Sequence, residues 1–232
     1  MSAPLPNKEI AMDHIPDDHP FLREFAEVST ALKRAIDHDF SDTHRIYDAK
    51  PDDSFARRLL VRGVISYIEG QMAAIREQLL FCHHLFTVGL DAADDPLIGT
   101  VAEKLNLHFT IKDYFALAGK SLSSLKRGDD TVRDEFLCVE KTIKLMFSLH
   151  GRVFGHSITP ADEADGWKAL TELKQKRNQL THPKCADDLE VTHEQARGAI
   201  VVFIWMHNCL ERIREIENAK WSTLYDELLT DK

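Results

Sequence analysis

An arginine, an asparagine and a histidine lie close together in the run Arg177-Asn178-Gln179-Leu180-Thr181-His182-Pro183. Their chemistry suits a phosphate. A guanidinium presents a permanent planar fork of donors to phosphate oxygens. An imidazole titrates near neutral pH, so it can take a proton from one oxygen or give one to another. The neighbouring amide can orient either group. On an unbroken helix Arg177 and His182 would stand about 140° apart, but Pro183 pushes the residue before it out of the helical region. The helix is therefore expected to fray at Thr181 and let the His182 ring fold back towards Arg177 and Asn178. The same residues also suit a plain helix C-terminus, where the dipole favours cations.

Charge near this run is locally positive. From Trp167 to Lys184 the chain carries Lys168, Lys174, Lys176, Arg177 and Lys184 against one acid, Glu172. The whole chain has a formal charge of −9, which repels polyanions, and phosphate contacts dominate nucleic-acid affinity. An extended nonspecific binder of DNA or RNA is thus disfavoured, whereas a local patch holding a short RNA loop is compatible with the charge. Upstream, Glu69 lies beside the apolar stripe of a long helix, with Arg62 and Arg76 on the same side. It either fixes Arg177 across a cleft or forms a boundary ion pair of little net value.

The elements that must position these residues read as helices. Residues 1–19 look like a flexible arm, and residues 20–232 form one domain by size and continuity of pattern. Phe21, Leu22, Phe25, Val28, Leu32, Ala35 and Ile36 recur at spacings of three and four after Pro20, predicting a helix that ends near His38. Ser54 caps a helix to about Phe86 with the stripe Leu60, Val61, Val64, Ile65, Ile68, Met72, Ile75 and Leu79. Residues 97–126 read as one or two helices, with Thr110 and Asp113 as a capping box. Asp130 opens another, carrying Val132, Phe136, Val139, Ile143, Met146 and Phe147. Thr159-Pro160-Ala161-Asp162 signals the start of the motif helix, and Thr192 with Gln195 starts a last one, running to about Trp221. No alternating strand pattern or internal repeat is visible. The expected architecture is all-α, an up-and-down helical bundle.

Other chemistries find little support. Cys82, Cys138, Cys185 and Cys209 form no C-x-x-C pair, which speaks against a disulfide framework or zinc knuckle. Cys82-His83-His84 resembles a ligand set, but adjacent helical residues diverge by about 100°. His182 and Cys185 lack a second ligand pair, so no metal and no cofactor is expected. His207 reads as a core histidine, and Trp167, Trp205 and Trp221 as core or boundary positions. The first 20 residues carry no apolar stretch, and the longest apolar run, Ala199 to Met206, is far short of a membrane span. A soluble cytoplasmic protein is expected.

Arg177, Asn178 and His182, followed by Pro183, resemble the signature of HEPN domains: an arginine, a polar residue, three more residues and a histidine. The segment Arg62-Gly63-Val64-Ile65-Ser66-Tyr67-Ile68-Glu69 is similar to the HEPN helix that lines the same cleft. The resemblance covers about residues 54–220 and implies a four-helix core with extra helices. It also implies metal-independent RNA cleavage, with Arg177, His182 and Asn178 at the reacting phosphate and Glu69, Lys176 and Lys184 in support. Some active members carry a tyrosine two residues after the histidine; Lys184 stands there in this chain. The resemblance further implies a homodimer that pools two histidines in one cleft, and a toxin or antiviral-defence role with an antitoxin or regulatory partner. The alternative is a non-catalytic HEPN-like module that binds a nucleotide or a protein.

Overall fold

A computed structural model of the chain describes residues 20–91, 101, 104–105, 109–122, 132–134 and 137–230. The expected N-terminal arm lies outside them. Helix α1 spans Pro20–Ala49, α2 Ser54–Asp91, α3 Ile111–Leu117, α4 Val139–Phe154, α5 Ala164–Thr181 and α6 His193–Thr230. Two three-residue strands, β1 (Lys120–Leu122) and β2 (Val132–Asp134), pair antiparallel with Lys120 opposite Asp134. Single 3-10 turns cover Pro160–Asp162 and Ala186–Leu189. The chain forms the expected all-α bundle, with that small hairpin as its one strand pair among the described residues.

Residue pairings give the directions. Contacts along α2 and α6 climb together, from Arg57 with His193 through Tyr67 with His207 to Gln78 with Glu217. These helices run the same way. α4 follows them, since His150 meets Glu217 and Phe154 meets Trp221. α1 runs against α2, with Thr43 at Gly63 and Ile36 at Gly70. α5 opposes both its neighbours: Glu140 of α4 meets Lys174, and Trp205 of α6 lies on Gly166. α2 and α4 therefore point the same way across the long connection between them.

Several boundaries differ from the sequence expectation. α1 continues eleven residues past His38, to Ala49. Leu32 and Ala35 of the expected stripe are exposed, and the buried positions are Phe40 and Tyr47, seven residues apart and so on one face, while Asp42 between them pairs with Arg45. The expected helix from Asp130 is replaced over Val132–Asp134 by β2, and α4 starts only at Val139. From there Val139, Ile143, Met146 and Phe147 are buried as the periodicity predicts. Gly155 ends α4, at φ 80°, a left-handed conformation that glycine adopts without a Cβ penalty. At Thr159-Pro160 a 3-10 turn forms first and α5 begins at Ala164, because Glu163 leaves the helical region and turns its carboxylate to Arg212, 3.0 Å away. Both predicted capping boxes are present, at Thr110–Asp113 and Thr192–Gln195.

Within the core α4 and α6 share a polar chain. The Ile158 N–H donates to His156 Nδ1 at 3.2 Å, so a neutral His156 carries its proton on Nε2, 2.8 Å from His150 Nδ1. His150 Nε2–H then faces Glu217 Oε2 at 3.4 Å, and Gln78 donates to the other Glu217 oxygen. Burial, and then the neighbouring His150, push His156 down to about 4. A histidine held neutral on folding makes the unfolded state the better proton acceptor, so stability is full above the unfolded value near 6.5 and declines as pH falls towards about 4. The contribution is on the order of 1–2 kcal/mol once screening at a part-exposed ring is allowed for. His207 and His83, both lowered mainly by burial, act in the same direction. Urea midpoints should therefore fall between pH 7 and pH 5, and His156→Gln should flatten that slope while leaving the fold intact. An identical slope in the variant would remove His156 from the explanation.

Candidate active site at the C-terminus of the motif helix

α5 buries Leu170, Leu173, Lys176 and Leu180 at helical spacing, which turns Arg177 towards α2. There its Nη2 lies 3.4 and 3.5 Å from the two oxygens of Glu69, and its Nη1 lies 3.5 Å from Asn178 Oδ1. These are long contacts between partly exposed groups, 35% and 46% accessible. A pair of that kind is worth about 0–1 kcal/mol, too little to hold the guanidinium against a bidentate phosphate. Arg76, the other cation sequence reasoning placed near Glu69, pairs instead with Glu77 at 3.1 Å.

The helix ends where Pro183 requires. α5 stops at Thr181, and His182 caps it at φ −129° and ψ 63°. Three contacts satisfy the last carbonyls: Thr181 Oγ1 donates to Arg177 O at 2.8 Å, the His182 N–H to Asn178 O at 2.9 Å, and Arg62 Nη2 to Leu180 O at 2.6 Å. The following turn is tied down as well. Lys184 and Cys185 donate their N–H groups to Asp188 Oδ2, and those bonds hold the Asp188 carboxyl below the usual carboxylate range. Arg58 and Arg57 reach Leu189 O and Val191 O at 3.4 and 2.6 Å. His182 is thus an exposed side chain on a well-anchored backbone, and its ring has no hydrogen-bond partner among the described residues.

The supporting residues divide. Asn178 and Lys184 are exposed. Glu69 meets Arg177 across the α2–α5 contact, as the sequence suggested it can. Lys176 does not face the site: it is 8% accessible and its Nζ donates to Asp188 O at 3.2 Å. Its ammonium staples the turn, so it is no contact for a substrate. The basic patch read from the sequence thins further, because Lys174 pairs with Glu140 and Lys168 lies 4.0 Å from Glu172.

The cations that replace them come from α2 and were missed. Arg57, Arg58 and Arg62 make no ion pair with a carboxylate among the described residues; they donate to carbonyls and to Ser54 Oγ, and Arg57 also meets His193. A signal was available. Three arginines in the first nine residues of a helix sit at the end where the dipole disfavours cations, which calls for another use. Because α2 opposes α5, they reach the negative end of α5 and the turn after it.

Cys82 and Cys209 are buried, which pushes their thiols up, while Cys138 and Cys185 are exposed. Cys82, His83 and His84 diverge as expected: Cys82 enters the core, His83 stacks on Tyr114 at 4.9 Å, and His84 is exposed. Among the described residues no group of three or more His, Cys, Asp or Glu side chains is placed to hold a metal ion, and no helix is long and apolar enough to cross a membrane. Compared with protein-family models, with curated proteins and with solved structures, the chain matches none.

Proposed function

We propose that the chain is a metal-independent endoribonuclease of the HEPN type. One observation carries the reading: a solvent-open histidine on a fixed backbone, one and a half turns from an arginine held only loosely by Glu69, beside three guanidiniums without carboxylate partners. In the reaction a ribose 2′-OH attacks its own phosphate. A base takes the 2′ proton, an acid protonates the leaving 5′ oxygen, and the products end in a 2′,3′-cyclic phosphate and a 5′-OH. His182 serves as one proton-transfer group, Arg177 stabilises the phosphorane, and Asn178 orients either of them. Lys184, exposed after the histidine, adds charge near the entering strand.

One chain offers one such histidine. A twofold dimer that faces two motif turns across one cleft supplies both the base and the acid, and isologous dimers are the commonest assembly. The same proposal includes a toxin or defence role and a partner that keeps it silent. A second reading is favoured by the Arg177–Glu69 pair and the Arg62 cap: a non-catalytic helical module in which the motif closes a helix end.

Incubating the purified protein with RNA in EDTA separates the two. The ribonuclease reading expects fragments with 2′,3′-cyclic ends, a particle of twice the chain mass by light scattering, and cleavage slower by about 10²–10⁴ from His182→Ala. An active, strictly monomeric protein would rule out the shared cleft, and no cleavage under any condition would leave the structural module.

A further inference from the structure

Resting on the ribonuclease reading, we infer that the N-terminal face of α2 is a single-stranded RNA track, with Phe55 as a base-stacking platform and Arg58 and Arg62 as phosphate contacts leading to Arg177. Phe55, Arg58, Arg62, Ser66 and Glu69 follow one another at spacings of three, four, four and three, which keeps them in one stripe of the helix. The stripe is about 21 Å long, the reach of a short single strand. It ends at the motif, since Glu69 meets Arg177 and Arg62 meets Leu180 O.

Phe55 is 61% accessible, among the most exposed large apolar side chains in the protein. No aromatic neighbour packs on it among the described residues, although its backbone is fixed: its N–H donates to Asp53 Oδ1 at 2.6 Å. An exposed ring on a fixed backbone is what a base stacks on. Beside it Arg58 spends one nitrogen, Nη1, on Ser54 Oγ and Leu189 O, and Arg62 spends Nη2 on Leu180 O. Each guanidinium has five donors, so each keeps a free edge for phosphate.

Three of the surrounding acids are engaged locally. Asp53 accepts the Phe55 and Ala56 N–H groups, Asp52 lies 3.4 Å from His193, and Asp188 accepts from Lys184 and Cys185. The stripe is therefore a ring followed by two guanidiniums, then Ser66 and Glu69, whose carboxylate is met by Arg177, on a body whose overall charge is −9. One exposed ring beside cations suits a flexible strand with an unstacked base, and does not suit a duplex whose bases are hidden.

The test uses the full chain carrying His182→Ala, so that RNA is bound and not cut, with a fluorescein-labelled unstructured RNA of about ten nucleotides. Phe55→Ala should weaken binding by about 5- to 100-fold, the range of losing one stacked base. Phe55→Trp should restore affinity, and Phe55→Leu, apolar but without a π-face, should not. A single abasic site scanned along the RNA should cost affinity at one position in the Phe55 protein and nothing there in Phe55→Ala. Arg58→Gln should weaken all sequences alike and reduce the salt slope by about one unit. If the otherwise unmodified chain cleaves RNA while Phe55→Leu binds as tightly as Phe55, the track is wrong and the ribonuclease stands. If Phe55→Leu changes only the mass of the particle, the ring is a protein contact and the inference fails. If the chain neither binds nor cleaves RNA, the ribonuclease reading fails first and takes the track with it.

Discussion

For the proposed ribonuclease, Arg177→Ala and His182→Ala should each lower RNA cleavage by about 10²–10⁴, and the double variant should be little worse than either. The non-additivity follows from the chemistry, because both side chains act on one transition state and removing the first leaves little for the second to stabilise. Stability should scarcely move. His182 is exposed with an unpartnered ring, and Arg177 contributes only long, part-exposed contacts with Glu69 and Asn178, so each variant should unfold within about 1 kcal/mol of the parent. Arg177→Lys separates the two explanations of the motif. A lysine keeps the charge near the end of α5 and can still meet Glu69, which is all a helix cap requires. It loses the planar fork that grips two phosphate oxygens. Fully retained cleavage in Arg177→Lys would show that charge alone suffices, whereas a loss close to that of Arg177→Ala requires bidentate contact. If both alanine variants melt several degrees earlier and cleavage was never present, Arg177 and His182 are parts of a cap.

The sequence carried the starts of α3 and α6 well, because a cap is a local event. Thr192 and Gln195 satisfy each other across three residues, and so do Thr110 and Asp113. It carried the end of α5 for the same reason, through Pro183. The end of α1 was not legible in that way. Between Asp37 and Arg45 the chain is mostly polar, and only Phe40 shows that the stripe goes on towards Tyr47. A count of basic residues also misled. Lys176 is buried against the turn, and Lys174 is consumed by Glu140, since charge on a helix says nothing about which neighbour will claim it. The guanidiniums of α2 were hidden for a different reason. Their partners are backbone carbonyls 118 to 134 residues away, and a carbonyl has no signature in the sequence. Glu69 was recoverable because its partner is a side chain of opposite charge.

Gly166→Ala should destabilise the protein by about 1–3 kcal/mol, the usual cost of overpacking, although alanine is the better helix former by about 1 kcal/mol. A Cβ built at Gly166 would stand 2.4 Å from three atoms of the Trp205 ring, Cγ, Cδ1 and Cδ2. The clash is with the stem of a buried indole, 8% accessible and edge-on to Trp167 at 6.3 Å, so no flexible tip can give way. Either α5 moves off α6 or the indole leaves its slot. Trp205→Ala should cost more, about 3–5 kcal/mol, or roughly 6–20 °C in Tm for a chain of this size. Trp205→Phe should cost far less than that truncation, because the indole Nε1 is buried with no partner among the described residues and its removal relieves an unmet donor. In a double-mutant cycle Gly166→Ala should add almost nothing to Trp205→Ala, since the ring it strikes is already gone, giving a coupling of about 1–3 kcal/mol. Strictly additive effects would mean that the two residues do not share this contact. The motif lies at the other end of α5, sixteen residues or about 24 Å from Gly166. Cleavage per folded molecule, measured well below the melting transition, should therefore survive Gly166→Ala. A variant that is fully folded yet inactive would place the α5–α6 packing within the function itself, through the position it gives to Arg177.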